Sequence, residues 1–99
     1  MQNNIKRIEI ITDAIYQSRL IKLLDDTGIP GYTIFKDVAG KGLKGEKDGH
    51  GLGSGFKNVY ILIYCELELV KKLTDAVRPV IETFGGVCVV SDAHWIIHN

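Results

Sequence analysis

Net charge is the first thing this 99-residue sequence lacks: twelve Lys and Arg stand against twelve Asp and Glu. That balance excludes a protein whose main work is gripping nucleic acid or an anionic bilayer, which takes a concentrated basic surface. Long hydrophobic runs are missing too. The longest, Val59 to Cys65, is seven residues, against the ~20 of a membrane-crossing helix, so no direct membrane insertion is expected. Cysteine is scarce. Cys65 and Cys88 both lie in apolar, strand-like runs, which reads as reduced core thiols rather than a disulfide scaffold. Proline occurs only twice and 45% of the residues are hydrophobic, which excludes a disordered chain. The length allows one domain, residues 1–99. Met1 to Arg7 is polar and carries no apolar stretch of the signal-peptide kind, so a cytoplasmic protein is expected.

Glycine, by contrast, is concentrated. Of the 11 glycines, seven fall at Gly40, Gly42, Gly45, Gly49, Gly51, Gly53 and Gly55. Such a segment loses too much backbone entropy to order as helix or strand and is expected to be a mobile loop. A loop of about sixteen residues in so small a domain is usually functional. Around it the chain is orderly. Ile5 to Thr12 reads as a strand with Ile8 and Ile10 on one face. Thr12 or Asp13 can cap a helix carrying Tyr16, Leu20, Leu23 and Leu24, ended by Gly28. Tyr32 to Phe35 and Lys57 to Cys65 read as strands, and Leu69 to Phe84 as a helix that Pro79 should kink or interrupt near Arg78. Val87 to Val90 reads as a last buried strand, followed by an extended tail.

The order β-α-β-β-α-β predicts a ferredoxin-like α+β sandwich, with both helices on one face of a four-stranded sheet. The other face should then be polar in a monomer. Tyr60, Leu62 and Tyr64 alternate with Val59, Ile61 and Ile63, so both faces are apolar, and a homo-oligomer is expected.

Gly40-Lys41-Gly42-Leu43-Lys44-Gly45 matches G-x-G-x-x-G, but Glu46 to Gly51 cannot open the helix that a dinucleotide fold needs. Backbone N–H groups with Lys41 and Lys44 remain able to wrap an anion or phosphate. His94 and His98 share a face of an extended tail but lie roughly 13 Å apart at ~3.3 Å per residue. They hold no metal by themselves, and a metal site would need His50 or a neighbouring subunit to contribute ligands. No activated thiol or Ser-His-Asp set emerges, and an enzyme is not expected.

The whole arrangement resembles the PII signalling superfamily, and within it the PII-like proteins associated with bicarbonate transport. The resemblance rests on Gly31-Tyr32-Thr33 entering the second strand, Gly40-Lys41-Gly42 with Lys44 at the loop base, and Phe84-Gly85-Gly86-Val87 before the last strand. It implies a cytoplasmic homotrimer with adenine nucleotides between subunits and a T-loop, here about 40–56, that docks on a target. Carried over, Gly40, Lys41, Gly42 and Lys44 would line the phosphates. Gly85, Gly86 and Val87 would offer backbone from the other side of the cleft, and Gly31, Tyr32 and Thr33 would lie near the base or ribose. The partner implied is a membrane transporter for bicarbonate or another anion. Gly85-Gly86-Val87 lacks the lysine of the G-D-G-K turn found in strong ATP binders. The ligand therefore stays open among AMP, ADP, ATP, cAMP and bicarbonate. Residues 40–56 contain no tyrosine, so uridylylation is not expected. The alternative is a metal-binding trimer resembling the CutA proteins, motivated by His50, His94 and His98.

Overall fold

The computed structural model describes residues 5–42, 45–46 and 57–99. In chain order they form β1 (Ile5–Asp13), a 3-10 turn (Ala14–Tyr16), α1 (Gln17–Thr27), β2 (Thr33–Val38), the two-residue strands β3 (Lys41–Gly42) and β4 (Gly45–Glu46), β5 (Asn58–Glu66), α2 (Leu67–Phe84) and β6 (Val87–Ala93). The main sheet is antiparallel in the order β2-β5-β1-β6. The protein is thus a ferredoxin-like α+β sandwich.

Alternation along the strands decides what the helices cover. Ile8 and Ile10 pair with Ile63 and Ile61 across the two central strands, and all four are fully buried beneath Leu20, Leu24, Leu73 and Val77. Leu20 and Leu24 stand one helical turn apart, so one stripe of α1 meets the sheet. The helix closes at Gly28, whose φ of 79° is the left-handed conformation that glycine adopts without strain. Thr27, buried in that last turn, satisfies its hydroxyl on the Leu24 carbonyl at 2.7 Å. Tyr16 stacks on Phe84 at 4.2 Å, and the Arg19 guanidinium lies 5.3 Å over the same ring, joining the start of α1 to the end of α2.

Four local expectations are corrected. α2 runs through Pro79 without a break. Pro79 lies on the exposed side of the helix, where the Asp75 carbonyl freed by the missing N–H can be hydrated. The last strand is longer than Val87–Val90 and is not buried. It forms a sheet edge, paired among the described residues only with β1, and Val87, Val89 and Val90 are 47%, 48% and 41% exposed. The tail does not stay extended beyond Ala93: it bends, and Trp95 stacks on His98. Within the glycine-rich segment, Lys41 and Gly42 pair with Glu46 and Gly45, so part of it is strand after all. Each of these strands is only two residues long and itself includes a glycine, Gly42 or Gly45, so no long ordered run is required.

Candidate functional site

The sheet has two ends of different character. The upper end is where β1 and β2 finish and β5 and β6 begin. On its β6 edge, α2 closes with the Gly85 N–H donating to the Ile81 carbonyl at 2.8 Å. The Thr12 hydroxyl, at the end of β1, donates to the Gly85 carbonyl at 2.8 Å. Gly86 has φ 118°, and a Cβ there would lie 2.3 Å from the Ile11 carbonyl oxygen. Only glycine fits. The turn Gly85-Gly86-Val87 is therefore pinned to the end of β1 with its backbone close to the surface.

On the β2 edge of the same end, pairing with β5 slips between Phe35 and Val38. Asp37 sits in this irregularity with φ 60°, the one non-glycine residue in the left-handed region among the described residues. The Lys57 ammonium approaches the Asp37 carboxylate at 4.0 Å, both groups being well exposed, and the Lys57 carbonyl accepts from the Ala14 N–H at 2.9 Å. The chain thus returns at Lys57 beside the point from which it left. Sequence reasoning passed over Lys57, because only the β2–β5 register brings it there. Gly40, Lys41 and Gly42 follow directly on this edge; Lys44, His50 and Ser54 lie outside the described residues. Two strands separate the β2 and β6 edges, so the loop base and the glycine turn stand about 14 Å apart across three strand spacings.

At the lower end, Gly31, Tyr32 and Thr33 enter β2 beside a groove of about 850 Å³. Tyr64, Leu69, Trp95 and His98 also line it. Shielding from water, and next the Asp25 carboxylate, push the Tyr32 hydroxyl above the usual phenol range. That hydroxyl donates to Asp25 at 3.3 Å. Trp95 meets Tyr64 at 5.3 Å and lies flat on His98, with centroids 4.1 Å apart and planes tilted by 8°. Gly31–Thr33 and Gly40–Gly42 thus fall at opposite ends of β2, roughly 20 Å apart along six strand residues. One subunit does not bring the sequence-selected residues together.

The open face of the sheet carries Ile11, Phe35, Tyr60, Leu62, Val87 and Val89, as the pairings Thr33↔Leu62, Phe35↔Tyr60 and Ile11↔Val87 require. Its polar groups are knitted to one another. The Tyr60 hydroxyl donates to Glu9 at 2.5 Å, Arg7 lies 3.6 Å from Glu9, and the Arg7 Nε donates to the Ser91 hydroxyl at 3.2 Å. The bond to Glu9 raises Tyr60 above its ordinary value. At the strand ends Lys6 pairs with Asp92 and holds that carboxyl below the usual range.

Both thiols are pushed up by burial, Cys65 in the core and Cys88 half-buried on the helix-covered side. Among the described residues no three His, Cys, Asp or Glu side chains gather closely enough to hold a metal ion. No helix among them is long and apolar enough to cross a membrane.

Residues 5–98 match the family model of the nitrogen regulatory protein P-II. No curated protein matches the sequence. Among solved structures, CPII, a nitrogen regulatory PII-like protein from Thiomonas intermedia K12 bound to ADP, AMP and bicarbonate, is similar with a TM-score of 0.80 and 32% identity. The match covers 90% of this chain and 85% of that one. The same protein bound to ADP and bicarbonate gives 0.79 and 34% over the same shares. The GlnK–ATP complex of B. subtilis shares the fold, with a TM-score of 0.69 at 21% identity over 94% of this chain and 84% of that one. The chain belongs to the P-II family, whose members are signalling regulators rather than enzymes.

Proposed function

We propose that this P-II family chain works as a cytoplasmic homotrimer that binds an adenine nucleotide, with bicarbonate as a companion or competing anion, in clefts between subunits. The observation that carries the reading is the separation of its candidate residues. Gly31–Thr33 at the lower end lies about the full length of β2 away from the upper end, where the loop base and Gly85–Val87 both stand, too far for one small ligand to reach all of them within a subunit. Neighbouring copies that set a lower end against an upper end give such a ligand all three. The apolar open face around Phe35, Val87 and Val89 supplies a reason for copies to associate. Support also comes from CPII, 32–34% identical to this chain in the two structures above, which both hold ADP and bicarbonate.

In this cleft Gly40, Lys41, Gly42 and Lys44 line the phosphates, with Gly85, Gly86 and Val87 presenting backbone opposite them. A fixed turn on one side and a lysine-bearing loop base on the other let the ligand bias the loop and the interface together. The loop, residues 40–56, then blocks or frees a partner, for which a membrane transporter of bicarbonate or another anion is the proposed class.

Calorimetry against AMP, ADP, ATP and cAMP, with and without bicarbonate, tests the reading. Micromolar binding near one ligand per subunit is expected, weakened at least tenfold in the Lys41→Ala/Lys44→Ala double variant. Unchanged affinity in that variant removes the phosphate role, and silence across the panel removes the nucleotide.

A further inference from the structure

The C-terminal tail is held against the protein in an unusual way. Beyond Ala93 it leaves the sheet, and Ile96 and Ile97 are 87% and 86% exposed. Two apolar side chains are thus given to solvent while the rings on either side of them turn inward. Trp95 leans on Tyr64, and the His98 imidazole lies flat on the other ring system at 4.1 Å with only 8° between planes. Both rings line the lower groove together with Tyr32 and Leu69. A parallel stack at this spacing is how a flat heteroaromatic ring sits on an indole. The groove, about 850 Å³, is within the range of small-molecule sites.

The geometry points to Trp95 as the stacking platform for the purine ring of the bound nucleotide, with His98 occupying the purine's place in the unliganded subunit. This rests on the nucleotide reading above and adds to it the residue that selects for a base. Bicarbonate and inorganic phosphate have no ring to stack. Trp95 therefore separates ligands that the lysines and glycines, reading only charge, treat alike. His98 is displaced at small cost, because the residues that tether it, Ile96 and Ile97, are themselves mostly exposed, Ile96 touching only the groove's rim. The tail then acts as a plug that an aromatic ligand removes and a simple anion leaves in place.

Trp95 is the only tryptophan in the chain, so its emission reports on this groove alone. AMP is expected to quench it, and ribose 5-phosphate, the same molecule without the base, is expected to leave it unchanged. By calorimetry, Trp95→Leu should weaken AMP and ADP about tenfold, the scale of one base–aromatic stack, with ribose 5-phosphate unaffected. Trp95→Phe should recover most of the loss, and His98→Ala should tighten AMP about two- to threefold. The thermal midpoint of each variant checks folding, and if Trp95→Leu does not fold, Trp95→Phe, His98→Ala and the quenching contrast carry the test. Wild-type affinity for AMP in Trp95→Leu, or an equal loss for AMP and ribose 5-phosphate, overturns the role of Trp95 while nucleotide binding stands. If neither AMP nor ADP binds the wild-type protein, the nucleotide reading fails and this one with it.

Discussion

The two faces of the sheet are made from the same strands, yet they are finished differently. On β5 the residues under the helices are Val59, Ile61, Ile63 and Cys65, none more than 2% exposed. Their neighbours on the open face are Tyr60, Leu62 and Tyr64, each only partly covered. Hydrophobicity does not separate the two sets. What separates them is that the helix side is aliphatic apart from the Cys65 thiol, whereas the open side carries phenol rings and a bonded chain of Tyr60, Glu9, Arg7 and Ser91. A surface that is wet in a lone subunit and covered in an assembly needs polar handles satisfied in both conditions. A permanent core does not.

Truncation on either side of β5 gives the largest expected contrast. Ile61→Ala should cost about 2–5 kcal/mol, a transfer term plus a cavity beneath the helices, read from the denaturant midpoint of dilute protein. Leu62→Ala, one residue along, should cost well under half of that. Equal losses would mean the open face is as much a core as the other. Next in size is Val89→Asp. A charge beside Val87 and Ile11, directly across from Glu9, should shift the mass measured by light scattering from three subunits towards one while leaving the far-ultraviolet spectrum intact. A trimer that survives this at micromolar concentration would place the interface elsewhere.

The smallest effect concerns the polar handle. Tyr60→Phe removes one hydrogen bond to a carboxylate, about 1 kcal/mol. Because the Tyr60 hydroxyl is raised above its ordinary 10.0 in the folded protein, its contribution is complete below that value. It is lost as pH rises through the folded value. Wild-type stability should therefore fall at alkaline pH more steeply than that of Tyr60→Phe. Parallel curves would show that the bond to Glu9 is not formed in solution.

Much of this was visible in the sequence because it is local. The spacing of Leu20 and Leu24, the alternation through Ile61 and Ile63, and the glycines at 28, 85 and 86 each specify their own surroundings within a few residues. The element order followed from them. What escaped was set by distance or by position in the sheet. Pro79 obeys its rule only where the carbonyl it frees is shut away from water. Four apolar residues at 87–90 look the same at an edge as at the centre of a sheet. Lys57 reaches Asp37 through strand register, and no spacing announces that pairing. The candidate site shares this division. Its glycines and lysines stand out as residue types, but that they occupy opposite ends of one subunit depends on the order β2-β5-β1-β6, and the ring of Trp95 on His98 depends on a bend after Ala93.

That strand order also governs how the molecule is made. Of the strands in this sheet β1 is synthesised first and sits inside it, yet both its partners come from the second half of the sequence, with Ile5 pairing Glu66 on one side and Ala93 on the other. During synthesis the earliest apolar strand must therefore wait with neither edge covered until β5 emerges. The sheet is complete only once β6 has emerged as well. So much long-range pairing places the protein among slow folders for its size, and it makes the nascent N-terminal half, rather than the finished subunit, the form most exposed to aggregation and most in need of a chaperone.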